Sequence, residues 1–140
     1  MKDFWVDCEK FLKDVYKVKG RLSAEKYNQL AAKVFVIWLT FTVCDLVTLN
    51  FLEYHPEYIL LNSMHLAIKI LYMGLSWVGM ICIVIRRQHD RDRSGWRILI
   101  PIIIGLMTNL LLVWLLYTYI LSTREGTDGK NKYGDKPTDD

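Results

Sequence analysis

Long apolar tracts alternate with charged segments along this chain. Three tracts carry very few charges: residues 31–52, 66–85 and 98–121. A bilayer core about 30 Å thick is crossed by about 20 helical residues at about 1.5 Å each, and every tract meets that length. Because backbone groups in hydrocarbon must be satisfied within their own segment, the tracts are predicted to be transmembrane helices.

Nearly all of the charge lies outside these tracts, in residues 1–30, 86–97 and 122–140. With 52% hydrophobic and 24% charged residues, the chain would suit a soluble protein if the two kinds were mixed. They are segregated, and 140 residues are too few to wrap three fully buried helices. The pattern therefore favours an integral membrane protein over a soluble helical bundle.

The first charged segment has a helical pattern of its own. Apolar residues recur there at three- and four-residue steps: Phe4, Trp5, Cys8, Phe11, Leu12, Val15 and Tyr16. This spacing predicts an amphipathic helix that lies in the headgroup region or packs on a partner. Lys19-Gly20 is a typical helix stop, and Ser23 is a suitable N-cap for the next helix.

The predicted fold class is all-α, an integral membrane protein with an amphipathic N-terminal helix plus three transmembrane helices. The interfacial helix occupies residues 1–22, and residues 23–121 form the membrane domain. The predicted spans and the parts around them are as follows: spans at about 30–52, 60–85 and 97–121, a charged loop at 86–96, and a polar tail at 122–140. The tail is expected to be ordered only where something holds it.

The distribution of Lys and Arg predicts the orientation. Residues 1–33 hold eight, the turn at 53–57 holds none, and residues 86–97 hold five. The N-terminus and the charged loop should therefore face the cytoplasm. Three spans would place the tail outside, whereas a re-entrant third segment, broken around Pro101 to Gly105, would return the tail to the cytoplasm, where it can meet the charged loop.

The charged loop, read IRRQHDRDRSGWR from residue 85, offers several kinds of chemistry. Its arginines suit lipid phosphates, Asp90 and Asp92 can hold them in shape, Ser94 can cap the last span and Trp96 can anchor it. The residues predicted to bind lipid or a partner are Gly20, Arg21, Arg86, Arg87, His89, Asp90, Arg91, Arg93, Ser94 and Trp96. A His89–Asp90 catalytic pair is the weaker alternative, since no nucleophile or third ligand accompanies it.

Inside the membrane, Asp45 stands out. If the helical hairpin turns near residue 55, Asp45 lies level with His65, and Lys69 follows one helical turn further in on the same face. Asn109 of the last span is expected at a similar depth. Ionisable groups in a span are costly unless paired, so we predict an Asp45 contact with His65 or Lys69, either as a clasp between helices or as part of an ion path.

Three motifs resemble a known bacterial family. Residues 86–96, RRQHDRDRSGW, resemble the RRLHDxxRSGW signature of domain of unknown function 805, a family of small inner-membrane proteins. Residues 19–23, KGRLS, look like its KGRxS motif, and residues 129–137, GKNKYGDKP, look like its terminal GxNxYGxxP. The resemblance implies a multi-pass inner-membrane protein without established chemistry.

These observations predict a non-catalytic accessory or regulatory protein of the bacterial inner membrane. Its expected partners are anionic lipid headgroups, a protein or a second copy of the chain, and no cofactor or metal is expected. Nucleic acid is an unsuitable partner, because the net charge of +3 is small and adjoins the spans. The alternatives are an oligomeric transporter or channel component that uses the Asp45 cluster, and an enzyme that acts on lipid headgroups through His89 and Asp90.

Overall fold

Helices account for all the regular elements of the described part of the chain. The structure, a computed structural model, describes residues 2–54, 58–108 and 111–137. Its elements are α1 (Lys2–Val15), α2 (Ala24–Tyr54), α3 (Ile59–Asp90), a single 3-10 turn (Gly95–Ile98), α4 (Leu99–Thr108) and α5 (Leu111–Thr123). The predicted all-α class is confirmed for these residues.

Two long helices, α2 and α3, pack side by side. They hold 31 and 32 residues, which at about 1.5 Å per residue exceeds a bilayer core of about 30 Å. Both are long and apolar enough to cross a membrane. The Ser23 hydroxyl accepts the Lys26 N–H at 3.2 Å, which confirms the predicted cap at the start of α2.

The end of α3 differs from the prediction. The helix was predicted to stop at Ile85, where the apolar pattern ends, but it continues to Asp90. Arg87 and Asp90 stand three residues apart and pair on one face of the helix, which supports the extra turn. The charged loop predicted at 86–96 is therefore much shorter, and the chain reverses at Asp92, whose φ of 53° is one that Asp tolerates.

The single helix predicted over residues 97–121 is not observed. Two helices replace it, α4 of 10 residues and α5 of 13, and they pack against each other. The start of α4 lies beside the end of α3, because Gly95 faces Ile85. The end of α5 returns to the same place, since the Arg87 Nε donates to the Leu121 carbonyl at 2.9 Å.

A helical hairpin therefore stands where one span was predicted. At about 1.5 Å per residue, neither arm reaches the roughly 30 Å of a bilayer core. The alternative of a re-entrant segment matches this return, although its predicted break was wrong, because Pro101 and Gly105 both lie within α4. Pro101 sits in the first turn of α4, where its missing N–H costs little.

The buried core lies at the end of the molecule where α3, α5 and the polar segments meet. It consists of Val15, Leu22, Tyr27, Leu30, Ile83, Val84, Ile98 and Leu121. Elsewhere α2, α3 and α4 present large hydrophobic side chains outward, as lipid-facing helices do. The packing that fixes side chains within the described chain is thus concentrated at this polar end.

The amphipathic helix α1 is joined to α3 near residue 79. Gly79 is buried there, and a Cβ at this position would lie 2.6 Å from Cγ1 of Val15. The Tyr16 hydroxyl donates to the Leu75 carbonyl at 3.1 Å. Trp5 and Leu12 of α1 stay exposed, which suits a helix whose remaining apolar face is covered by lipid.

We expect Gly79→Ala to lower the free energy of unfolding by about 1–3 kcal/mol, because the added methyl overlaps a stiff, β-branched valine. Gly74→Ala on the same helix is the matched control, since a Cβ there meets nothing within 4 Å. Thermal unfolding in detergent checks both. Equal melting temperatures for the two variants would contradict the close approach of α1 to α3.

Candidate functional site

The carboxylate of Asp90 bonds to two arginines at the polar end. One oxygen accepts from Arg21 Nε at 3.1 Å, and the other accepts from Nη1 of Arg87. All three side chains are buried. We call Arg21, Arg87 and Asp90 the arginine–aspartate junction. Charged groups that are removed from water are stable only when they are paired and their remaining N–H and oxygen atoms form hydrogen bonds.

Arg87 is fully buried, with a relative exposure of 0%, and joins three parts of the chain. Besides Asp90, its guanidinium donates to the carbonyls of Leu22 at 3.2 Å, Leu121 at 2.9 Å and Arg124. Five N–H donors in a planar fork are suited to such convergent bonding. Arg87 thereby fixes the start of α2 and the end of α5 to the end of α3.

Arg21 holds the tail in the same way. Its guanidinium donates to the carbonyls of Thr127, Gly129 and Gly134, at 2.5, 2.5 and 3.3 Å. The tail is held from the other side as well, because the Asp90 carbonyl accepts from both the N–H and the hydroxyl of Thr127, each at 2.9 Å. The polar tail, predicted as a loop, is thus ordered by the junction.

Gly126 permits this close approach. A Cβ at this position would overlap the Asp90 carboxylate. Only the smallest residue fits here without displacing the ion pair. The requirement is steric, because no positive φ is found at Gly126.

His89 has a structural position beside the junction. Its Nδ1 lies 3.2 Å from the Gly20 carbonyl, and its ring stacks on that of Tyr133 with centroids 3.9 Å apart. Its carbonyl accepts from the Asn131 amide at 3.0 Å. Although His89 and Asp90 are neighbours in sequence, their side chains have different partners, which weighs against the catalytic pair considered above.

The tail residues 131–134 form a tight turn against His89. Asn131 and Gly134 bond through their backbones at 3.0 and 3.1 Å, and the Asn131 side chain accepts the Tyr133 N–H at 2.8 Å. Gly134 has a φ of 127°, a conformation that favours glycine. The three motifs found in the sequence therefore meet in one place.

The predicted lipid- or partner-binding residues fall into two groups. Six of them are buried or form hydrogen bonds with other parts of the chain: Gly20, Arg21, Arg86, Arg87, His89 and Asp90. Arg86, for example, donates to the Asp14 carbonyl at 2.6 Å. The others are half-buried or exposed, and Trp96 is 78% exposed. Ser94 occupies the N-cap position of the 3-10 turn without a side-chain capping bond.

Two further arginines extend the outward group: Arg97, the last residue of the charged loop, and Arg124, which the prediction did not include. Together with Arg91 and Arg93 they form what we call the arginine cluster. Arg91 is half-buried and the other three are exposed. Burial, and then the positive charges of Arg93, Arg87 and Arg124, lowers the pKa of Arg91. The cluster is therefore a place where positive charge is concentrated.

The intramembrane polar cluster is found as predicted. Asp45 Oδ1 lies 2.7 Å from His65 Nε2, and its Oδ2 accepts from Lys69 Nζ at 2.7 Å. The Asp45 side chain is 8% exposed, compared with 32% for Lys69. Asn109, predicted at a similar depth, lies outside the described residues. The prediction of helix register is thus confirmed for three residues of the cluster.

Several site residues escaped the sequence prediction. They are the tail residues that contact the junction, chiefly Gly126, Thr127, Asn131 and Tyr133. The signal available for them was the terminal motif at 129–137, which marks the tail without showing what it touches. Gly126 and Thr127 lie outside that motif.

A known protein family matches the part of the chain that contains the junction. Residues 15–135 match the family described as "Protein of unknown function (DUF805)". The chain belongs to this family. The match confirms the resemblance noted from the three motifs, and it includes every residue of the arginine–aspartate junction.

Two proteins of Escherichia coli are similar to half of the chain. The chain is 36% identical over 72 residues to "Inner membrane protein YhaI" of Escherichia coli (strain K12) and to its counterpart in Escherichia coli O157:H7. The aligned part is 50% of this chain and 53% of each relative, so the chain spans about half the length of the curated relatives it matches. No solved structure matches the chain significantly.

Proposed function

We propose that this chain is a non-catalytic accessory protein of the bacterial inner membrane that presents a folded polar face to the cytoplasm. The observation that carries the proposal is the division of the arginines. Arg21, Arg86 and Arg87 hold the protein together, which leaves the arginine cluster and Trp96 to face lipids or a protein partner. The inner-membrane location of the named relatives and the two long apolar helices support the setting.

The proposed topology has two spans and a re-entrant hairpin. The junction joins Arg21, the end of α3 and the tail, so these segments share one side of the membrane. Lys and Arg crowd residues 1–33 and 86–97, and this bias favours the cytoplasmic side. The tail, which three spans would have put outside, is then cytoplasmic too.

Reporter fusions test this topology. We expect alkaline phosphatase fused after residue 137 to be inactive and green fluorescent protein at the same position to fluoresce. Phosphatase fused after residue 57, between α2 and α3 in sequence, is the matched control and should be active. An active phosphatase at the tail would restore the three-span topology and separate the tail from the charged loop.

The proposed role has a separate test. Polymer-bounded membrane patches that contain the protein should be enriched in anionic lipid relative to the bulk membrane, or a photo-crosslinker at position 96 should capture a defined protein. The enrichment should diminish when Arg93 and Arg97 are changed to glutamine. A bulk-like lipid composition together with no cross-linked protein would refute the proposal.

A second candidate, transport through an oligomer, is motivated by the Asp45 cluster. Both carboxylate oxygens of Asp45 are occupied by His65 and Lys69, which favours a clasp between α2 and α3. Ion flux into proteoliposomes that Asp45→Asn abolishes would instead favour transport. The enzyme alternative is weaker, because both His89 and Asp90 are engaged in holding the fold.

A further inference from the structure

The arginine cluster has an uncompensated charge. Among the described residues, no carboxylate lies within 4 Å of the guanidinium of Arg91, Arg93, Arg97 or Arg124. Two acids of the same segment are already paired. Asp90 is held by the junction, and Asp92 pairs with Lys132 at 3.6 Å. The cluster thus lacks a counter-ion from the part of the chain that the structure describes.

The fold forces these like charges together. Arg93, Arg87 and Arg124 all act electrostatically on Arg91, and Arg91, Arg93 and Arg97 act on the Tyr117 hydroxyl of α5. Charges of one sign that share a site destabilise each other in a medium less polar than water. An anion placed among them would remove this cost and gain charge-assisted hydrogen bonds.

The backbone that carries the cluster is fixed by hydrogen bonds. The Arg93 N–H donates to the Gln88 carbonyl at 2.9 Å, and the Arg97 N–H donates to the Ser94 carbonyl at 3.2 Å. Arg124 comes from the far end of the hairpin, and its carbonyl accepts from Arg87. Because two distant segments are locked before any ligand arrives, the backbone of the site needs little ordering on binding.

The surroundings place the cluster at headgroup depth. Trp96, 78% exposed, stands between Arg93 and Arg97 in sequence, and the apolar helix α4 begins two residues after Arg97. Exposed tryptophans beside an apolar helix mark the membrane interface. A ligand bound here would meet guanidiniums on one side and hydrocarbon on the other.

From these contacts we infer that the arginine cluster is a binding site for a phosphate group, supplied by an anionic phospholipid headgroup. Guanidiniums match phosphate oxygens in pairs, which a lysine cannot do. The inference rests on the proposed function and deepens it by naming the ligand chemistry and one residue, Arg124, that the sequence did not assign. A free phosphate ion has the same chemistry and is separated from the lipid by experiment.

Calorimetric titration of the full chain in a neutral detergent tests the site. The probes are dihexanoyl phosphatidylglycerol, dihexanoyl phosphatidylcholine and inorganic phosphate. The test variant changes all four arginines of the cluster to glutamine, and a second variant changes only Arg93 and Arg97, which are exposed and cannot disturb the core. The matched control replaces four other exposed cations: Lys10, Lys17, Lys19 and Lys33.

We expect saturable binding of phosphatidylglycerol in preference to phosphatidylcholine, weakened about tenfold or more in both arginine variants and nearly unchanged in the lysine control. A variant with four lysines in place of the arginines should also bind more weakly, because it keeps the charge and loses the paired bonds. If inorganic phosphate competes fully with phosphatidylglycerol, the phosphate site is supported, and its ligand is a free phosphate ion.

Two outcomes would overturn the site. One is equal weakening in the arginine and lysine variants, and the other is binding that does not saturate. In both cases anionic lipid enriched around the protein would still support the proposed function, so the failure of the site and the failure of the function are distinguishable.

Discussion

Replacing Asp90 with asparagine is expected to lower the free energy of unfolding by about 3–5 kcal/mol, because two buried guanidiniums then lose the carboxylate that they share. The asparagine side chain would keep the shape and one acceptor oxygen, but its NH2 group would face an arginine N–H, so the loss combines charge pairing with one hydrogen bond. Since Arg21 and Arg87 also hold the tail, its release from α3 should accompany the loss.

Thermal unfolding in detergent measures the stability, and proteolysis of the tail measures its release. Asp92→Asn is the matched control, two residues away on the exposed turn, where its 3.6 Å contact with Lys132 is worth about 0–1 kcal/mol. Gly126→Ala should reproduce the effect of Asp90→Asn from the opposite side, because its methyl would displace the carboxylate. A protease-resistant tail in Asp90→Asn would show that the junction does not hold it.

Contacts between residues whose relative positions follow from helix periodicity could be predicted, and contacts between residues far apart in the sequence could not. The Asp45 cluster followed from helix register, since a short turn between two apolar helices fixes which residues stand level with each other. The junction did not follow, because Arg21 and Asp90 are 69 residues apart and the tail that completes their bonding is polar throughout. Periodicity carries no information about such contacts.

The returning hairpin was predicted only as the alternative to a third span, for a related reason. Residues 98–121 are apolar almost throughout. Hydropathy shows how apolar a segment is, but it does not show whether the chain continues straight or turns back. The direction is set by Arg87, which bonds to the Leu121 and Arg124 carbonyls at the end of α5. Arg87, which the sequence placed in a lipid-facing loop, thus holds the end of α5 beside the end of α3.

The role of His89 shows how the fold changes the meaning of a motif. A histidine followed by an aspartate suggests acid–base chemistry when only the sequence is known. In the structure the ring lies against Tyr133 and beside the Gly20 carbonyl, where it joins the first and last of the three motifs. Its neighbour Asp90 contacts Arg21 of the first motif and Thr127 of the tail. Both residues are accounted for by assembly of the polar end.

Replacing Asp45 with alanine is expected to lower the melting temperature in detergent by several degrees, because His65 and Lys69 then lose their shared acceptor between α2 and α3. Asn50→Ala is the matched control, since the Asn50 amide donates to the Leu46 carbonyl of its own helix. In a double-mutant cycle with Lys69→Met, the effects should be less than additive if the two residues act as a pair.

Measurements of stability and of ion flux together distinguish the clasp from an ion path. A clasp requires the stability of Asp45→Ala to fall whether or not the protein conducts ions. An ion path requires flux in proteoliposomes that depends on Asp45, and it tolerates unchanged stability. Because Asp45 is 8% exposed and both of its oxygens are bonded, we expect the loss of stability without any flux in the wild type. Unchanged stability in Asp45→Ala would be evidence against the clasp.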